Sequence, residues 1–173
     1  MTPTLYLLRH AKSSWIDPTL PDHERPLARR GRRACKLIRA HLQAEGIEPA
    51  LVLCSSAVRT RQTLDRVAPA LPAATEIRVD ATLYGASGDA LLAMVRSLPD
   101  SLESAMLIGH DPGMHDLTLV LARPGALRDE VRPKFPTAAL ATLALTTSWS
   151  AAAPGTADLR AFVTPRGLSD ASA

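Results

Sequence analysis

A chain of 173 residues with 46% hydrophobic content suits one domain with a core of ordinary size. Its formal charge of +3 and pI near 9.2 favour an anionic ligand without demanding nucleic acid, and 3% aromatic content leaves few platforms for stacking bases. No apolar run reaches the length of a signal-peptide core or a membrane span, and Cys35 and Cys54 sit in apolar contexts like reduced core thiols, so a cytoplasmic protein without membrane attachment or disulfide staples is expected.

Thr4 to Leu8 is a continuous apolar run ending at Arg9-His10, the pattern of a strand buried on both faces of a parallel sheet. A polar stretch with Pro18, Pro21 and Pro26 follows, and Leu27 to Glu45 then places Leu27, Ala34, Leu37, Ile38 and Leu42 at helical intervals before Gly46 stops it. Ala50 to Cys54 reads as a second buried strand, with Ser55 or Ser56 as the cap of a helix reaching about Ala68. Glu76 to Val79 is a weaker strand, and Asp89 to Leu98 a short amphipathic helix.

Ala105 to Ile108 is a third apolar run, ending at Gly109-His110. Met114 to Leu121 reads as helix and Arg123 to Pro136 as a long loop. Ala138 to Leu145 and Leu159 to Val163 read as closing strands around a turn at Ala151 to Gly155, with a loose tail from Pro165. Strands alternating with helices predict a single α/β domain over residues 1–164, a three-layer sandwich with a mostly parallel central sheet.

In open α/β sheets ligands gather at the carboxyl edge of the strands. Three segments there are chemically loaded: Arg9-His10, Ser55 to Arg61, and Gly109-His110-Asp111. Parallel strands bring all three to one rim, which assembles two histidines and at least two arginines around one hollow. Arg grips phosphate oxygens bidentately at any working pH, and a neutral imidazole flanked by cations is free to attack phosphorus. His110, Asp111 and His115 lack the spacing of zinc ligands, and no Gly-rich phosphate loop is present, so neither a metal nor any other cofactor is expected.

The strings LYLLRHA, CSSAVRTRQT and IGHDPG resemble, in order, the strand-plus-RHG signature, the S-x-x-x-R-A-x-Q-T segment and the second-histidine motif of the histidine phosphatase superfamily. ERPLARRG and FPTAALATLAL are similar to the SixA-type phosphohistidine phosphatases, and the resemblance covers Leu5 to about Leu145. It implies a phosphoglycerate mutase-like fold, His10 as phosphate-accepting nucleophile, Arg9 and Arg59 as phosphate clamps, and His110 as the partner that steadies the transferred group. Arg25 is implied near the pocket, with Ser14 and Thr137 as further candidates.

Two positions depart from that pattern. Ala11 replaces the glycine of the signature, and no Glu stands in Leu83-Tyr84-Gly85-Ala86, where mutase-type and many phosphomonoesterase members carry one. An alkoxide leaving group needs a proton donor more than a phosphorus-nitrogen bond does, so the missing acid favours phosphohistidine on a protein as substrate. Asp111 is the candidate donor for the alternative, a small-molecule phosphomonoesterase. A second alternative is a non-catalytic phosphate-binding module. His23 and His41 have no partners at motif spacing and read as incidental, and Arg29, Arg30, Arg32 and Arg33 read as the solvated face of an amphipathic helix. Neither nucleic acid nor membrane is expected as a partner.

Overall fold

The computed structural model describes residues 2–172. Six strands form one sheet: β1 (Thr4–Arg9), β2 (Leu51–Ser55), β3 (Glu76–Asp80), β4 (Ser104–Gly109), β5 (Leu140–Leu145) and β6 (Ala157–Val163). Their order is β3-β2-β4-β1-β5-β6. β3, β2, β4 and β1 pair in parallel, whereas β5 runs antiparallel to both β1 and β6. The chain therefore has the mostly parallel α/β architecture that its alternating pattern predicts.

The helices are α1 (Arg29–Ala44), α2 (Val58–Val67), α3 (Gly88–Arg96), α4 (Gly113–Leu121), α5 (Ala126–Val131) and α6 (Pro165–Ala171). Side chains alternate across the pleat, so each strand feeds two cores. Leu5 and Leu7 point into a cluster with Leu91, Val95, Leu117 and Leu121 from α3 and α4. Leu8 points the other way, with Cys35, Ile38 and Leu42 of α1 and Leu64 of α2. Three layers result. Among the described residues no helix is long and apolar enough to cross a membrane.

Three expectations need correction. The loop from Arg123 to Pro136 contains α5, whose Val131 is fully buried. The tail from Pro165 is helical through Ala171, with Pro165 in the first turn and the Thr164 side chain accepting from the Gly167 amide, a paired start signal. Neither Ser55 nor Ser56 caps α2; Ala57 stands at that position without a side-chain bond. Both serines are turned toward histidines instead.

The first turn of α1 packs directly on the segment after β1. A methyl group on Gly31 would run into the Lys12 carbonyl oxygen, which accepts from the Ala28 amide. In an exposed helix Gly→Ala gains about 1 kcal/mol. Here the obstacle is backbone, so Gly31→Ala is expected to lose about 1–3 kcal/mol through overpacking and to depress turnover by shifting the segment after His10, as urea unfolding and steady-state assays would measure.

Candidate active site

The pairing of β1 with β4 places Arg9 opposite Gly109, and the His10 amide donates to the Gly109 carbonyl at 3.0 Å. His10 and His110 are thus the first residues beyond two adjacent strand ends. Their rings lie 5.2 Å apart, centroid to centroid, and both residues are buried. The backbone of this corner is also tied to the far loop: the Ala138 amide donates to the Arg9 and His10 carbonyls. Ala138 holds a φ of 59° to do so, a strained conformation for a residue with a Cβ.

His10 Nδ1 lies 2.7 Å from the Ala11 carbonyl oxygen. A carbonyl only accepts, so Nδ1 carries the proton and Nε2 keeps its lone pair. Burial pushes the His10 pKa down to about 3 against the help of that hydrogen bond, and the charges of Arg59, His110 and Arg9 push the same way. His110 is lowered to about 4, mainly by burial and then by Arg59. Arg59 Nη2 donates to His110 Nδ1 at 3.3 Å, so His110 Nε2 donates to Ser55 Oγ at 2.7 Å. Both rings are neutral at physiological pH.

The two guanidiniums are held by neighbouring oxygens. Arg59, 7% exposed, donates to the Asp22 carbonyl at 2.7 Å and to its carboxylate at 3.0 Å. Arg9 Nη1 donates to the Phe135 carbonyl at 2.6 Å and pairs with Asp111 Oδ2 at 3.0 Å, while its buried Nε has no partner. The rest of the CSSAVRTRQT segment works as a brace. Gln62 Oε1 accepts from the Leu27 amide, and Thr63 Oγ1 accepts from the Ala11 amide and donates to the Arg59 carbonyl. Ala11 itself is fully buried in the α1-side core, which accommodates the methyl group.

Four predicted residues, Arg9, His10, Arg59 and His110, therefore converge. Asp111 adjoins them through Arg9; burial raises its pKa although Arg9 opposes this, and its Oδ1 is buried without a partner. Arg25 stacks over Trp15, 3.1 Å from the ring centroid, and leaves Nε and Nη1 buried and unpartnered. Ser14 is a turn residue, its amide donating to Pro26 and its hydroxyl accepting from Ile16. Thr137 lines a different hollow, beside Lys12. Among the described residues no group of three or more His, Cys, Asp or Glu side chains is placed to hold a metal ion.

A second layer of residues lies outside the three sequence motifs. Asp22 accepts from Tyr84 Oη at 2.7 Å as well as from Arg59, and this Tyr84 bond is the main cause holding its carboxyl below the usual range. Tyr84 stands edge-on to His110 and to His23. His23 is not incidental, because its Nε2 shares a hydrogen bond of 2.9 Å with Ser56 Oγ. The segment that lacks a Glu thus presents a neutral phenol. Only its aromatic residue in an otherwise small-residue turn hints at this.

The low imidazole pKa values predict that both rings stay neutral well below the ordinary histidine range of about 6.5. Folded values of about 3 and 4 lie under the unfolded one, so this stabilisation is complete above about pH 6.5 and is lost as pH falls toward them. Nitrogen-15 shifts of the His10 and His110 rings in the ligand-free protein are expected to stay flat from about pH 7.5 to 5. A midpoint near the ordinary value for either ring contradicts the burial argument.

Residues 5–89 match the histidine phosphatase superfamily (branch 1). An uncharacterised protein of Mycobacterium tuberculosis (strain ATCC 25618 / H37Rv) is 36% identical over 163 residues, covering 92% of this chain and 100% of that relative. A SixA structure from Nakamurella multipartitia superposes with TM-score 0.81 at 31% identity, over 95% of this chain and 97% of that one. The protein histidine phosphatase SixA complexed with tungstate gives TM-score 0.78 at 25% identity, over 95% and 99%. With two of its three loaded strand ends inside the matched segment and a relative similar along its full length, this chain belongs to the histidine phosphatase superfamily and is a phosphatase.

Proposed function

We propose that the protein removes phosphate from phosphohistidine on a protein substrate, with His10 as nucleophile. The observation that carries this reading is a neutral imidazole with an unprotonated Nε2, its ring 5.2 Å from a second neutral imidazole and under the charges of two braced guanidiniums. Nε2 attacks phosphorus as the bond to the substrate nitrogen breaks. A substrate ring protonated on its other nitrogen leaves as neutral imidazole, so no acid has to act. Water then attacks the His10 phosphoramidate; the bond to Nε2 breaks and inorganic phosphate departs with both water protons.

Arg9 and Arg59 are the donors for the charge that spreads over the equatorial oxygens, and the neutral His110 ring, its Nε2–H on Ser55 and its Nδ1 accepting from Arg59, positions Arg59 for that role. Arg25, with two buried donors that lack partners and a charge that acts on Asp22, is the further candidate for the same anion. Tungstate is a tetrahedral oxyanion like phosphate, so its presence in a SixA structure supports an oxyanion site here. Two buried unpaired cysteines, their thiols pushed up to about 11 and about 12 chiefly by burial, suit the reducing cytoplasm.

A second reading rests on Asp111. Its buried, unpartnered Oδ1 and raised pKa suit a carboxylic acid that protonates an alkoxide, which would make the enzyme a phosphomonoesterase of small molecules. Relative turnover of a phosphohistidine peptide and a sugar phosphate separates the two, and on the second reading Asp111→Asn should slow the latter far more than the former, which shares only the loss of the Arg9 brace.

Brief reaction with radiolabelled substrate is expected to leave an acid-labile, alkali-stable label on the enzyme, and His10→Ala to abolish it. Arg59→Lys keeps the charge but loses the fork, and is expected to lower kcat/KM by about 10²–10³. A stable label elsewhere, or undiminished labelling of His10→Ala, refutes His10 as the acceptor.

A further inference from the structure

A hollow of about 500 Å³ lies on the α1 side of the sheet, with Lys12 from the segment after His10 in its wall. Lys12, Arg30, Arg33, Lys134 and Arg166 line it, from the segment after β1, the first turns of α1, the loop before β5 and the start of α6. No Asp or Glu lines it, and none of the five forms an ion pair among the described residues. Five positive charges exceed the net +3 of the whole chain. Two of the four arginines that read as an ordinary solvated helix face, Arg30 and Arg33, belong to this group of cations.

This arrangement runs against local electrostatics. The amino end of a helix carries partial positive charge and favours acids, yet the first turn of α1 has no acidic residue and no side-chain cap. Like charges gathered without counter-charges weaken the fold, and a concave site concentrates their field on an incoming anion. Position matters too: Lys12 lies two residues beyond His10, a backbone span of at most about 7 Å, so the edge of this hollow is formed by the same segment that carries the nucleophile.

Resting on the phosphohistidine reading, we propose that this hollow docks an acidic segment flanking the phosphorylated histidine of the substrate protein. All five cations are exposed, unlike the buried Arg59 that faces the phosphoryl position. Exposed, flexible cations around an open concavity suit several solvated carboxylates rather than the tight grip of a single phosphate. Such contacts raise encounter and lower KM without touching the chemical step.

The test compares two synthetic phosphohistidine peptides, identical except for Glu-rich or Gln-rich flanks. The Glu-flanked peptide is expected to show about tenfold higher kcat/KM at low salt, mainly through KM, with the preference lost near 0.5 M salt. Arg30→Glu with Arg33→Glu should erase the preference while leaving turnover of an aryl phosphate unchanged, which also shows that the variant is folded. Equal kcat/KM on both flanks in the unaltered enzyme, or a preference that survives the double substitution, overturns the docking site. If neither peptide is hydrolysed while the aryl phosphate is, the phosphohistidine reading fails. Fluorescence binding of the labelled, unphosphorylated Glu-flanked peptide then decides the docking site, weaker binding to the double variant supporting it and equal binding refuting it.

Discussion

The register between β1 and β4 is the constraint from which the site follows. Leu5, Leu7 and Leu8 are divided between two cores by the pleat, so a slip of one residue would exchange their faces and expel His10 from its place. The same burial that fixes the register excludes water from the rings at its end. Hydrophobic packing thereby sets both the position and the protonation state of the histidine pair.

Around that pair, positive charge is held in advance by groups that are themselves held. Asp22 grips Arg59 and is gripped by Tyr84; Asp111 and the Phe135 carbonyl hold Arg9; Ser55 orients His110. Each brace comes from a different stretch of chain, so the site is a property of the folded domain rather than of any motif. On the proposed reading, an arriving phosphoryl group would compete with Asp22 and Asp111 for the two guanidiniums that they hold.

The strand ends were legible in the sequence because buried parallel strands announce themselves as short apolar runs, and chemistry collects where those runs stop. His10, Arg59 and His110 needed nothing more than that rule and three ordered strings. The brace was not legible. Asp22 and His23 lie between Pro18 and Pro26 in a segment without periodicity, where only three-dimensional closure brings them to Arg59 and Ser56. α5 was hidden because its six residues are too few to display a helical period and Pro124, Gly125 and Pro133 surround them. α6, by contrast, carried a readable start in Thr164-Pro165, outweighed by its place at the chain's end. Ser55 misled because a serine after a strand is a good cap and, here, a better partner for a buried imidazole.

The most direct test of the convergence of imidazoles and guanidiniums on one anion is anomalous diffraction from crystals soaked in tungstate. The principal tungsten peak is expected beside His10 Nε2, with Arg9 and Arg59 donating to its oxygens. A tungsten confined to the Lys12–Arg166 hollow, or found with His10 facing away from it, would contradict a shared oxyanion site at the histidine pair.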